Sequence, residues 1–394
     1  MFERFWLEKA RQALGGNAGS DEIVLEKMRS RVAELSDLFT KERPAVFKDY
    51  MSDPALLAAY GLFFFPQSFA RASFAARRLL DFYGRVPADL SRVRILDIGS
   101  GASPCGFALA AALQKKFEGV PVEVCCLDRS RAALEAAREL AGTQKNLFFR
   151  SVPADLQNLP PLQFDASFDF IVLGWSLNEI VPATGKEPLE RALVLLKKLS
   201  PALKADGTLL VLEPALKETA ERLQRVADYF VRNPGLPYYR VAPELGQHPD
   251  PHLAAGDHEM WTHDVRTWEA PPTLEFLNRK LFRDISVLKF SWSAFGKSPA
   301  VLPAVPAGTL GYFRLVSPVE LTKPALRFAV VDAAGTRLQI EWPTRGLSKS
   351  DCKKMAARFE RGDVVTLAGE LKALGRDFRL QGEMRAVPDD FGEK

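Results

Sequence analysis

The chain has 394 residues, 47% hydrophobic and 26% charged. At roughly 150 residues per domain this means two or three folding units with ordinary cores, which excludes a single small module and a wholly disordered chain. The 53 basic residues exceed the 49 acidic ones by only four, so charge alone names no polyanionic partner. Cys105, Cys125, Cys126 and Cys352 form no CxxC pair, and the N-terminus has neither a secretory nor a transit pattern. A reducing, cytoplasmic setting is expected. The apolar run from Leu56 to Ala70 contains Pro66 and is too short to span a bilayer, so no membrane partner is expected.

Residues 1–90 read as a helical region, amphipathic over Ile23 to Phe39 and Phe69 to Phe82, with breaks at Gly15-Gly16, Pro44 and Pro66. From 91 to 300 the texture is α/β. Short β-rich runs at Val93–Ile98, Val122–Leu127, Leu147–Arg150, Phe168–Leu173 and Thr208–Glu213 alternate with helical stretches, which predicts βαβ units and a parallel sheet. A helix over Ala215–Val231 follows, then strands at Tyr238–Ala242 and Ile285–Ser291 with an insert, residues 244–284, between them. Ala300 to Gly308 reads as a linker. In residues 308–385 the expected strands are Gly311–Val319, Ala325–Val331, Arg337–Trp342, Asp363–Leu371 and Asp377–Leu380, with a helix over Ser348–Phe359. Three strands, a helix and two strands is the order of an OB-like β-barrel.

The chemistry concentrates at Val93-Arg-Ile-Leu-Asp97-Ile-Gly99-Ser100-Gly101, a strand entering a glycine-rich turn, with four residues between Gly101 and Gly106. Glycines permit a tight turn and close approach of a ligand to the backbone. A dinucleotide turn reads GxGxxG, so the spacing counts against an NAD-dependent dehydrogenase, although Asp128 at the end of the second strand would suit the ribose of either cofactor. The acid-x-Gly-x-Gly pattern resembles motif I of the class I S-adenosylmethionine-dependent methyltransferases. That resemblance implies a Rossmann-like sheet with S-adenosylmethionine held by Asp97, Gly99, Ser100 and Gly101, its ribose by Asp128, and its adenine near Asp155 and Leu156. Trp175 is placed to stack on the adenine or on a substrate base, and Asn178 and Glu179 to orient the methyl acceptor. A purely structural reading makes the acids turn and cap residues.

A narrower resemblance rests on Phe65-Pro66-Gln-Ser-Phe-Ala-Arg71, Leu177-Asn178-Glu179, Glu213-Pro214, Val241-Ala242-Pro243 and Gly311-Tyr-Phe-Arg314-Leu-Val-Ser317-Pro318. Together these resemble the mitochondrial small-ribosomal-subunit methyltransferase-like family and its bacterial relatives, over roughly residues 60–380. The resemblance implies ribosomal RNA or the small ribosomal subunit as partner, acted on by an enzyme or bound by a non-catalytic assembly factor. A small-molecule methyltransferase is the third alternative. The oligomeric state is left open.

That family carries a cysteine-rich insert associated with an iron-sulfur cluster. By alignment with it, Glu244, Asp250 and Thr262 stand here at cysteine positions, so no cluster is expected. All four histidines of the chain, His248, His252, His258 and His263, fall in the same sixteen-residue window. With nearby carboxylates they suit zinc or a similar metal, but no pair has a clean motif such as HExxH, and a polar loop without metal is the favoured reading. By analogy with the fold, the insert is expected over the active-site rim.

Cys105 lies in the cofactor turn, where it reads as a helix-start residue rather than a methyltransferase nucleophile, and no Asp/Asn-Pro-Pro-aromatic motif follows the fourth strand. The tail from Gly308 holds 15 basic and 12 acidic residues, with Lys349, Lys353, Lys354, Arg358 and Arg361 on and after its helix. Tyr312, Phe313, Phe328 and Trp342 are either stacking platforms or core.

Overall fold

In the computed structural model, Asp53 starts the last of the N-terminal helical segments, its carboxylate accepting the backbone N–H of Ala55 at 2.7 Å and of Leu56 at 3.2 Å. Residues 2–16, 19–40, 50–156, 167–182, 187–254, 256 and 261–387 are described. Helices α1 (Phe2–Ala13), α2 (Asp21–Thr40) and α3 (Pro54–Ala59) are followed by a π-turn at Tyr60–Phe64 and by α4 (Phe65–Asp81). The break expected at Pro66 is replaced by that π-turn. Widening the turn lets the helix continue into a residue that has no N–H to donate. Gly61 is required in the turn because a Cβ there would lie 1.9 Å from the Trp6 ring. The break expected at Pro44 lies outside the described residues.

The chain forms two compact units. The first comprises residues 1–76, 87–176 and 267–288. In it β1 (Val93–Ile98), β2 (Val122–Asp128), β3 (Leu147–Pro153) and β4 (Phe168–Gly174) pair in parallel in the order β3-β2-β1-β4. α5 (Pro104–Lys116) and α6 (Arg131–Ala141) follow β1 and β2. β1 and β4 are buried along nearly their whole length, as parallel strands covered on both faces must be. The register sets Asp97 beside Cys126 and Val172, so the first acid stands at the carboxyl end of the sheet.

The second unit comprises residues 77–86, 177–266 and 289–394. It holds α7 (Leu177–Ile180), α8 (Pro188–Leu199), β5 (Leu203–Pro214), α9 (Lys217–Arg232), β6 (Tyr239–Ala242) and β7 (Asp264–Thr267). β8 (Val287–Gly296) lies between β5 and β6 and runs antiparallel to both. It reaches five residues past the expected Ser291 because Trp292, Ala294 and Phe295 enter the core.

The tail forms β9 (Thr309–Leu315), β10 (Glu320–Leu321), β11 (Ala325–Asp332), β12 (Arg337–Pro343), α12 (Lys349–Ala356), β13 (Val364–Leu374) and β14 (Asp377–Ala386). β9 pairs with both β13 and β11, β11 with β12, β12 in parallel with β14, and β14 with β13. β14 is longer than the expected Asp377–Leu380 because it pairs with β13 over ten positions. Gly369 and Gly382 face each other there, and a Cβ on Gly382 would lie 1.9 Å from the Ala368 carbonyl. Phe313 and Phe328 are core residues of this sheet, and Trp342 and Phe359 pack with them. Tyr312 stands edge-on to Phe82 at 5.0 Å. Phe313 and Phe328 therefore serve packing, and Tyr312 and Trp342 are half-buried.

Candidate active site

Asp97 is the last but one residue of β1, and its side chain points beneath the glycine turn. Its Oδ2 accepts Ser103 Oγ at 2.6 Å and the Gly106 N–H at 3.1 Å. The residue is only 1% exposed, and burial pushes its carboxyl up to about 7 against the pull of those two donors. Asp97 thus braces the turn from below. Gly106 makes this possible, since a Cβ there would come within 2.3 Å of Ser103 Oγ and 3.1 Å of Asp97 Oδ2. Ser103, at φ +62 before Pro104, was not anticipated as part of the turn; its place just ahead of a helix-starting proline was the signal.

Above Asp97 the backbone closes on β2. The N–H groups of Gly99 and Ser100 both donate to the Leu127 carbonyl, at 2.8 and 3.1 Å. The Gly101 N–H donates to Asp128 Oδ2 at 2.8 Å, and Asp128 Oδ1 accepts from Ser130 at 2.8 Å. Asp128, half-buried, is thus oriented by the turn. Ala154 donates to the Asp128 carbonyl at 2.9 Å, which brings exposed Asp155 and half-buried Leu156 to this edge.

Gly99 and Gly101 both have positive φ, +68 and +52. A Cβ on Gly99 would stand 2.4 Å from Ser176 Cβ and 3.1 Å from Leu156 Cδ1, so these residues flank the turn. Ser176 is locked there by its hydroxyl, which donates to the Ile98 carbonyl at 2.6 Å. Trp175, half-buried at φ +61, precedes it. A Cβ on Gly101 would meet Met51 Cε at 3.3 Å and Tyr60 Oη at 3.8 Å. Met51 and Tyr60 therefore approach the turn from the helical region, and nothing in their local pattern announced it.

The three cysteines of this unit are not nucleophiles. Cys105 is buried, its Sγ 2.2 Å from where Gly174 would carry a Cβ, and burial beside Asp97 raises its thiol well above the ordinary range. Burial likewise pushes up Cys126, and Cys125 to about 11.

In the second unit the Asn178 N–H donates to Glu213 Oε1 at 3.1 Å, and Glu213 Oε2 is paired with Arg222 Nη2 at 3.2 Å. Arg222 also bonds the Val181 carbonyl. Glu213, wholly buried, thus fixes the segment after β4 rather than facing a substrate. Asn178 is half-buried and Glu179 exposed.

The described insert residues from 244 to 266 pack against the tail sheet. Arg314, on β9, is paired with Glu244 and Asp264 at 2.7 Å each. Burial would push Arg314 down, yet the two carboxylates hold it above its ordinary value. Burial would raise Asp264, and Arg314 and Arg266 hold it low instead. Asp250 accepts Gln224 Nε2 at 2.8 Å and Thr262 Oγ1 at 3.1 Å. His248 packs its ring on Gly335, and buried His252 donates its backbone N–H to Asp250 at 2.9 Å. His263 meets Arg361 at 3.4 Å and is pushed down to about 4 by burial, then by that cation. His258 lies outside the described residues. Among the described residues no group of three or more His, Cys, Asp or Glu is placed to hold a metal. Nor do the insert residues fit an iron-sulfur cluster, since Glu244, Asp250 and Thr262 supply no thiolate and are bonded to protein partners.

Residues 89–262 match the family model described as a methyltransferase domain. The chain carries an S-adenosylmethionine-dependent methyltransferase domain. The glycines, whose Cβ atoms would fill the turn, and the oriented Asp128 carboxylate fit the methionyl and ribose portions of that cofactor. Among curated proteins none matches the sequence. Solved structures to which the chain is similar include a TehB-like S-adenosylmethionine-dependent methyltransferase from Corynebacterium glutamicum, 21% identical over 39% of this chain and 71% of that one, with a TM-score of 0.26. The citrinin polyketide synthase CMeT domain is 17% identical over 72% and 71%, with a TM-score of 0.33. The [4+2]-cyclase SpnF is 17% identical over 58% and 82%, with a TM-score of 0.31. Among the described residues no helix is long and apolar enough to cross a membrane.

Proposed function

We propose that this methyltransferase acts on ribosomal RNA in or near the small ribosomal subunit. The observation that carries the reading is the convergence of Glu244, Asp250 and Thr262 on one small cavity, together with Gln224 and Arg240. These positions were aligned from sequence with the cysteines of the small-subunit family, and unrelated loop residues would have no reason to meet. The tail supports the same reading. Its pairing circuit β9-β11-β12-β14-β13-β9, with the parallel β12–β14 pair, suits an OB-like barrel, a fold that commonly binds oligonucleotides. Lys349, Lys353, Lys354 and Arg358 are exposed on and after α12, where they suit a phosphate backbone. Arg361 turns inward instead, donating to the Trp261 carbonyl at 2.6 Å.

When bound, S-adenosylmethionine supplies an electrophilic methyl on a sulfonium sulfur, open to in-line attack by the lone pair of the acceptor. The turn residues orient it: Asp97 holds the turn rigid, Asp128 accepts from the ribose, and Leu156 with Ser176 walls the Gly99 side. With Cys105, Cys125 and Cys126 buried as neutral thiols, no covalent cysteine adduct forms, so the nucleophile belongs to the acceptor.

The test is transfer of label from methyl-labelled S-adenosylmethionine to small-subunit RNA taken from cells lacking the protein. Label in that RNA supports the reading. Label absent from RNA, with no ribosomal RNA recovered by crosslinking in cells, would remove it.

A further inference from the structure

Three buried guanidiniums of the second unit meet carboxylates: Arg222 meets Glu213 at 3.2 Å, Arg266 meets Asp363 at 3.3 Å, and Arg314 meets two acids. Arg85, buried too, is held by the Thr208 hydroxyl and the carbonyls of Asp206 and Gly207. Arg71, in the first unit, meets no carboxylate among the described residues. Its Nη2 donates to the neutral Gln67 Oε1 at 3.3 Å, and its Nε is sealed from solvent without a partner. Gln67 is 5% exposed and is itself held by Nε2 donating to the Phe63 carbonyl at 2.7 Å. Phe63, Gln67 and Arg71 therefore form a ladder at i, i+4 spacing along one helix face. A second guanidinium stands at the foot of that ladder, Arg283 lying over the Phe63 ring, 5.6 Å from its centroid. Among the described residues neither arginine has a carboxylate at ion-pair distance.

Arg71 is half-buried with its Nε sealed from water. A cation without a counter-ion is unfavourable there, and burial lowers Arg71 to about 10 with no charged group opposing it. Such an arrangement is stable only where the surrounding packing outweighs it, and it becomes favourable once an anion enters. We propose that Arg71, oriented by Gln67 and assisted by Arg283, binds an oxyanion of the methyl acceptor, a backbone phosphate being the group its planar fork suits. Tyr60, at the head of the π-turn, reaches the cofactor turn at Gly101. Arg71 lies eleven residues beyond it, about 16 Å along the helix at 1.5 Å per residue. The anion therefore lies well away from the Tyr60 contact with the cofactor turn, at a distance an extended acceptor could bridge. The inference rests on the methyltransferase reading only for the word acceptor.

The test uses the full chain and inorganic phosphate as probe, with thermal unfolding followed in phosphate and in chloride at matched ionic strength. The wild type melts higher in phosphate, saturably. Arg71→Met melts above the wild type in chloride and loses the phosphate response, whereas loss of a merely structural arginine would lower the melting point. Arg283→Gln weakens the response by about tenfold while melting as the wild type does. A wild type indifferent to phosphate, with Arg71→Met melting lower, would overturn the proposal. Calorimetry then identifies the source. Unchanged S-adenosylmethionine affinity in Arg71→Met supports the acceptor site. Weakened binding of S-adenosylmethionine but not of its decarboxylated analogue would assign the anion to the cofactor and overturn it. A wild type that binds no S-adenosylmethionine would end the methyltransferase reading, while the phosphate response is still read independently.

Discussion

The glycine turn of the first unit and the Arg314 cluster of the second are both dense in buried polar groups, and they use them in opposite ways. At the turn, Asp128 accepts two backbone N–H groups and stays half-buried beside the glycine loop. Around Arg314 the charges neutralise one another: Glu244 and Asp264 take its two Nη groups, and Trp292 Nε1 donates to Asp264 at 3.0 Å. Buried charge alone therefore does not mark a functional site. What separates the two regions is exposure: Asp128 is half-buried, whereas Glu244, Asp264 and Arg314 are buried.

The largest expected effect falls on the closed cluster. Arg314→Met leaves buried Glu244 without its ion-pair partner and Asp264 with Arg266 alone, and lowers stability in urea denaturation by about 3–5 kcal/mol. The triple variant Glu244→Gln, Asp264→Asn, Arg314→Met removes all three charges and recovers most of that loss. If Arg314→Met alone were neutral, the cluster would not be closed as described.

Next comes the open turn. Gly99→Ala puts a Cβ 2.4 Å from Ser176 in a backbone with φ +68 and is expected to weaken S-adenosylmethionine binding about tenfold or more in calorimetry. Gly119→Ala is the control. It has φ +75 and nothing within 4 Å of its Cβ, so it carries the backbone strain and leaves binding unchanged. Equal effects of the two would reduce the turn to generic strain.

A smaller, pH-dependent effect belongs to Asp97. Its folded carboxyl is raised from 3.8 to about 7, so between those values the folded state holds a proton that the unfolded state releases. Stability therefore falls as pH rises through that window. Asp97→Asn keeps an acceptor for Ser103 and flattens the melting profile between pH 4 and pH 7. A profile identical to that of the wild type would mean that Asp97 stays charged when buried.

The smallest effect is on metal removal. The described histidines are engaged in packing and protein contacts, so dialysis against a chelator leaves the melting point and cofactor binding unchanged. A drop in either would point to ligands in the segment around His258.

The difference between the regions also explains what the sequence revealed. Asp97, Gly99, Gly101 and Asp128 lie on consecutive βα units, and Gly–x–Gly after a strand is a local pattern with a local cause, so turn and sheet were legible together. The Arg314 cluster was not, because its partners lie 70 and 50 residues away and only the fold brings them together. Met51 and Tyr60 escaped for the same reason. Phe313 and Phe328 show the converse. Their residue types suited stacking, but which face of a strand turns inward depends on pairing partners, and both went to the core. The packing of the insert was likewise beyond any local pattern: its described residues from 244 to 266 meet the tail sheet through Arg314, Gly335 and Arg361.

The most direct test of the central claim is calorimetric titration of the full chain with S-adenosylmethionine, run beside Asp128→Ala. Saturable binding by the wild type and at least about tenfold weaker binding by the variant are predicted, the loss expected when hydrogen bonds to a charged acceptor are removed. No binding by the wild type, or equal affinity in the two proteins, would contradict the assignment of the glycine turn as the cofactor site.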